Sequence, residues 1–205
     1  TLIWFTIHAY LGLMAMILTS GIGTVKLFHV EQRKSGFKLI SIGFIAFLVF
    51  YIFLKITDHH VGRTNNPWGI YELKATVSSV FIPKHGPIAE LINNTILGLN
   101  PSAEGISYIG IISLFVFISL IIYALKRTIQ RRKFNQKQFL NNLFLQQLLL
   151  VGILCLFFSM LFPFWWKLEK LLEYFLFIKQ FRAVGRFAWI FYFVIGIVAT
   201  FKMNE

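Results

Sequence analysis

The sequence predicts an all-α, polytopic transmembrane helix bundle with a long extracytoplasmic loop and an interfacial amphipathic helix. Three observations carry that expectation. Of the 205 residues, 57% are hydrophobic and only 14% are charged, where a soluble domain carries about 25% charged residues. The apolar residues gather into runs near the roughly 20 residues that an α-helix needs to cross the hydrocarbon core. The positive charge, a net +12, is bunched in short connectors between those runs, as expected of loops retained on the cytoplasmic side. Bunching of this kind argues for membrane lipids as partners and against nucleic acid. Cys155 is the only cysteine and lies inside an apolar run, so neither a disulfide framework nor a Cys-based zinc site can form within the chain. Thr1 leads straight into apolar sequence without an initiator Met, and Lys202-Met203-Asn204-Glu205 ends as abruptly. The chain therefore reads as a single membrane domain, residues 1–205, taken from a longer protein.

The first expected span covers residues 2–25, with His8 as its one imidazole and Gly21 and Gly23 near its end, suited to close helix packing. A connector from Lys26 to Lys38 then sets Lys26, Arg33, Lys34 and Lys38 against one acid, Glu31. The second span covers residues 37–56, and the third, residues 106–125, holds no charged residue. Lys126, Arg127, Arg131, Arg132, Lys133 and Lys137 follow it with no acid among them. That is the strongest topological signal in the chain, and it assigns both basic connectors to the cytoplasm. In the fourth span, residues 139–164, the amides of Asn141, Asn142, Gln146 and Gln147 could bond across helices for about 1 kcal/mol. The fifth span, residues 187–201, is short unless it begins before Arg186. Alternation of about five spans places the N-terminus and residues 57–105 and 165–186 outside the cell membrane, with the C-terminus inside. Every acid except Glu31 and Glu205 then falls in an outer loop.

Within the first outer loop, Tyr71, Leu73, Ala75 and Val77 alternate with Glu72, Lys74 and Thr76, which predicts an extended segment. The same stretch also allows a helix with Trp68, Tyr71, Ala75 and Ser79 on one side. Pro87 and the apolar Ile88, Leu91, Ile92 and Ile96 predict a short amphipathic helix over residues 87–97. In the second outer loop, Leu168, Leu171, Leu172, Phe175 and Ile178 share a helical face opposite Glu169, Lys170, Glu173 and Gln180. Trp165 and Trp166 precede it, as expected of a helix lying in the interface.

Candidate chemistry is concentrated in the outer loops. Asp58, His59, His60 and Arg63 follow the second span, where a carboxylate in a dry site could serve as a general base. A polar helix end meeting water explains the same residues, and adjacent histidines point apart on a helix, so no metal ligand set is assigned. Glu72 is the second candidate carboxylate for catalysis, and Glu104 is a candidate for substrate binding, although solvated acids are the commoner case. Arg182 and Arg186 are four residues apart, so on a helix both guanidiniums share a face and could hold a phosphate. Snorkelling interfacial anchors would show the same spacing. No cofactor is assigned; a divalent metal is the one candidate.

Two stretches together resemble a known family. Glu104-Gly105-Ile106-Ser107-Tyr108-Ile109-Gly110 is similar to an "EG-x-x-YLG" entry into a membrane span. Phe181-Arg182-Ala183-Val184-Gly185-Arg186-Phe187-Ala188-Trp189 is similar to an "FR-x-x-GRF-x-W" segment opening a later one. Pro67-Trp68-Gly69-Ile70-Tyr71 and Phe81-Ile82-Pro83 resemble the outer loop before them. These are features of bacterial membrane proteins of the GT-C glycosyltransferase type. The resemblance implies transfer of a sugar from a lipid-phosphate donor on the outer face, with Arg182 and Arg186 at the donor phosphate. It also implies that the main catalytic acid lies in an earlier loop, outside this chain. A transporter or flippase for lipid-linked sugars, or a non-catalytic assembly subunit, remains open. Apolar runs nearly free of charge count against transport.

Overall fold

The computed structural model describes residues 2–57, 68–86, 89–90, 106–130, 140, 142–164, 168, 170–174 and 183–204. The chain forms two compact units, Thr1–Thr64 and Asn65–Glu205, and every regular element among the described residues is helical.

The first unit is a helical hairpin with a folded-back start. Helix α1 (Leu2–Ile7) and α2 (Ala9–Leu27) replace the single expected first span. The break falls at His8, whose backbone is extended and whose Nδ1 accepts the Tyr10 amide at 3.2 Å, capping α2. His8 is thus an exposed helix cap rather than a packed helix-contact residue. Folding α1 back buries Phe5, which stacks on Phe50 with centroids 4.6 Å apart. Gly12 lies against the same ring, where a Cβ would collide with it.

A single 3-10 turn (Val30–Gln32) joins α2 to α3 (Arg33–Thr57). The expected connector is therefore shorter than its basic residues suggest, because Arg33, Lys34 and Lys38 already belong to α3. The two helices run antiparallel through a seam of small residues. A Cβ at Gly23 would sit 2.8 Å from the Gly36 carbonyl oxygen, and one at Gly36 would sit 2.7 Å from the Gly23 carbonyl oxygen. Gly43 faces Ser20 and Met16 in the same seam. Without a strong hydrophobic drive between helices in lipid, backbones this close supply the van der Waals contact that holds them. The rest of α3 leaves Phe44, Ile45, Leu48, Tyr51, Ile52 and Ile56 exposed. Such a face is an aggregation hazard in water and an ordinary lipid contact in a bilayer.

The second unit contains α4 (Val77–Phe81), α5 (Ile111–Ile129), α6 (Leu143–Ser159), α7 (Leu171–Tyr174), a 3-10 turn (Val184–Phe187) and α8 (Ala188–Asn204). Its core is Phe187 of the 3-10 turn with the face of α8 carrying Phe191, Val194, Ile195 and Val198, all essentially inaccessible. Gly152 of α6 admits Val194, and a Cβ there would lie 2.9 Å from Val194 Cγ1. Phe191 meets Phe117 of α5 at 5.2 Å and Phe81 of α4 at 6.3 Å, while Phe81 stacks on Phe117 at 5.5 Å. One aromatic cluster thereby ties a short loop helix to two long ones.

Among the described residues, three helical runs are long and apolar enough to cross a membrane: Ala9–Leu27, Val30–Thr57 and Val184–Asn204. Ile111–Lys126 and Leu143–Ser159 are shorter apolar helices. The last run reaches that length because it begins before Arg186. Two of the amides expected to bond between helices bond locally instead. Asn142 Oδ1 accepts the Phe144 amide at 2.9 Å as the cap of α6, and Gln146 Nε2 donates to the Leu140 carbonyl at 2.6 Å. Of the expected interfacial helix only Leu171–Tyr174 is helical among the described residues, with Leu172 fully buried. The expected helix over residues 87–97 lies almost wholly outside the described residues.

Candidate functional site

A layer of non-helical chain covers one end of the second unit, held by backbone hydrogen bonds between distant parts of the sequence. Gly185 N–H donates to the Leu73 carbonyl at 2.9 Å, and Ala75 N–H donates to the Ser159 carbonyl at 2.9 Å. Ser107 N–H and Ile109 N–H donate to the carbonyls of Ser79 and Val80 at 3.0 and 3.1 Å. Those last two carbonyls end α4, where no intrahelical donor is available. Trp189 Nε1 closes the layer by donating to the Ile106 carbonyl at 3.3 Å. Backbone polar groups buried away from water need partners of this kind.

Local sequence explains each edge of the layer. Of the expected extended segment over residues 71–77, residues 71–73 belong to a turn, with Leu73 N–H donating to the Gly69 carbonyl at 2.8 Å, Thr76 is extended, and Val77 opens α4. A capping box starts α4, with Thr76 Oγ1 accepting the Ser79 amide and Ser79 Oγ accepting the Thr76 amide. Two hydroxyls satisfying two orphan amides outweigh the period-two pattern over so short a stretch. At the far edge α6 ends with Phe162 N–H donating to the Phe157 carbonyl at 3.0 Å and Leu161 N–H to the Phe158 carbonyl at 2.9 Å. The Phe157 and Phe162 rings pack at 5.6 Å beneath this stop. Leu161 takes the left-handed position, at φ 61°, that glycine normally fills. The conformation costs about 1–2 kcal/mol, and burial of the whole Leu161 side chain offsets it.

Gly110 turns the layer into α5 at φ 82° and ψ 156°, a backbone region essentially restricted to glycine. The third helix therefore starts at Ile111 rather than at Ile106, because Ile106–Gly110 is consumed by the bonds to α4. Gly110→Ala meets no steric obstacle from its Cβ. The expected loss, about 1–3 kcal/mol of unfolding free energy in detergent, comes from the backbone alone.

Two of the candidate residues stand in this layer. Glu72 precedes Leu73, Arg186 follows Gly185, and the Leu73–Gly185 hydrogen bond brings their segments together. Glu72 is exposed, while Arg186 is half-buried in the 3-10 turn that opens the α8 run. The orphan amides of a helix start favour anions, and Arg186 adds a permanent cation there. Ser79, Ser107 and Ser159 are buried polar residues that the sequence does not single out. Ser79 Oγ donates to the Thr76 carbonyl and Ser159 Oγ to the Leu156 carbonyl, at 2.9 and 2.7 Å. Those bonds make both hydroxyls structural. Asp58, His59, His60, Arg63, Glu104 and Arg182 lie outside the described residues. Among the described residues no group of His, Cys, Asp and Glu gathers in a way that could hold a metal ion.

Long apolar helices, exposed apolar faces and a backbone-satisfied cap fit an α-helical membrane protein. Residues 1–204 match the family model described as a domain of unknown function, DUF6311, and the chain belongs to that family. Neither a curated protein nor a solved structure matches the chain.

Proposed function

We propose that the protein is a GT-C-like membrane glycosyltransferase that takes a sugar from a lipid-phosphate donor at the extracytoplasmic face. In this reading about five helices cross the membrane, the N-terminus of the chain and the layer face outward, and the C-terminus faces the cytoplasm. One observation carries it: the two longer stretches that resemble the GT-C type are joined by the Trp189–Ile106 hydrogen bond, and the segment between Tyr71 and Phe81 is tied to both through the Leu73–Gly185, Ser79–Ser107 and Val80–Ile109 bonds.

The chemistry needs an acid-base group and a cation in one place. The acceptor hydroxyl attacks the anomeric carbon and gives its proton to a carboxylate. The sugar–phosphate C–O bond breaks, and its electrons leave with the lipid phosphate. A guanidinium beside that oxygen stabilises the charge as it develops. In this reading Arg186 takes the cation role, and Glu72 is a candidate catalytic carboxylate. Arg182, His59, His60, Arg63 and Glu104 are further candidates for substrate binding, and Asp58 for catalysis.

The test is sugar transfer from a radiolabelled polyprenyl-phosphate donor in membranes containing the protein. Arg186→Ala is expected to lower transfer by about 100-fold or more, in line with removing one stabilising donor from a transition state. Arg186→Lys, which keeps the charge but not the fork, is expected to retain part of it. Transfer unchanged in a folded Arg186→Ala protein rejects the role of Arg186.

A further inference from the structure

We propose that the turn between α2 and α3 binds the phosphate headgroup of an anionic phospholipid. The proposal rests on the membrane reading of the helices and not on the transferase reading of the layer. Lys26, Arg33, Lys34 and Lys38 crowd this turn, and Glu31 is the one acid from residue 26 to residue 38. Two of the cations help to build the turn: Arg33 Nε donates to the Leu27 carbonyl at 3.2 Å, and Lys26 Nζ lies 3.5 Å from Ser35 Oγ.

Lys34 and Lys38 do something different. Both are exposed, and their spacing of four puts them on one face of α3. Like charges at that spacing oppose each other, and the start of a helix is the end where its dipole disfavours cations. An anion held between the two ammonium groups removes both penalties.

The apolar residues at the same turn identify the source of that anion. Phe28, Val30 and Phe37 are 82%, 73% and 61% exposed. Beside a bilayer these side chains enter the acyl boundary while the lysine stems reach back to the phosphates. A free phosphate ion would leave all three in water. The complementary ligand is therefore a lipid, with its phosphate on Lys34 and Lys38 and its chains against Phe28, Val30 and Phe37.

The experiment titrates the full chain in nonionic detergent with a fluorescent short-chain phosphatidylglycerol, and in parallel with the phosphatidylcholine analogue. The wild type is expected to prefer phosphatidylglycerol. Lys38→Gln and the Lys34→Gln/Lys38→Gln pair should weaken phosphatidylglycerol binding by about fivefold for each cation removed, leaving phosphatidylcholine binding unchanged. The paired Lys→Arg variant should retain the preference. Lys55→Gln, at the opposite end of α3 where Lys55 Nζ sits 5.8 Å from the Tyr51 ring centroid, should also retain it. Wild-type affinity in both Gln variants overturns the proposal, as does an equal loss in Lys55→Gln, which would reveal a response to net charge alone. Displacement of the lipid by millimolar inorganic phosphate also overturns it, because the apolar contacts would then contribute nothing.

Discussion

Gly36→Ala is expected to destabilise the α2–α3 hairpin by about 2 kcal/mol or more, although alanine is the better helix former. In an unpacked helix the same change gains roughly 0.5–1 kcal/mol from propensity. At Gly36 the new Cβ would sit 2.7 Å from a backbone carbonyl oxygen of α2 and 3.0 Å from Leu27 Cδ2. The carbonyl cannot rotate away, so the helices must separate and the facing seam loses contact along its length. Gly23→Ala meets the reciprocal obstacle, the Gly36 carbonyl oxygen at 2.8 Å. Gly196 of α8 is the control, since nothing lies within 4 Å of a Cβ there. Gly196→Ala should be neutral or stabilising by about 0.5–1 kcal/mol. Unfolding in a mixed-micelle denaturant series separates the two signs. Equal stabilisation by both changes would contradict the close seam.

Phe191→Ala is expected to cost about 2–4 kcal/mol in the second unit. Phe191 is fully buried and contacts rings from both α4 and α5. Comparable truncations in water-soluble cores cost about 3–5 kcal/mol. Part of that cost is transfer from water, which shrinks when the alternative environment is lipid, so the lower end of the range applies. The cavity and the lost ring contacts remain. Phe81 would lose a neighbour, loosening α4 and with it the carbonyls that hold Ser107 and Ile109. Phe193→Ala removes the same side chain from a site 61% exposed and should change stability by less than about 0.5 kcal/mol.

Much of the helical architecture is legible in the sequence because each long helix coincides with an apolar block, and hydropathy reads such blocks directly. Its breaks are less legible. Apolar residues continue on both sides of His8, so composition carries no sign of the fold-back that Phe5 and Gly12 create. Gly110 marks its own position once its φ is known, yet an isolated glycine in an apolar run also fits close helix packing. The layer was the hardest part to foresee. Its bonds join the backbones of Leu73 to Gly185 and Val80 to Ile109, and backbone pairing between distant loops leaves no periodicity. Trp189 is a side-chain link that a sequence reading could have found, as an indole N–H that needs an acceptor. Glu72 and Arg186 are legible as residue types, whereas the Leu73–Gly185 hydrogen bond that joins their segments is not.

An outward-facing site is tested most directly by cysteine accessibility in intact cells. Cys155 is buried, so the native protein should give little background with a membrane-impermeant maleimide. Glu72→Cys reports on the layer, and Lys126→Cys on the distal part of α5, about 22 Å along the helix from its start. Labelling of Glu72→Cys in intact cells, with Lys126→Cys reacting only after permeabilisation, is the result expected of a layer that meets lipid-linked donors outside. Labelling of Lys126→Cys from outside, with Glu72→Cys protected until the membrane is opened, would contradict it.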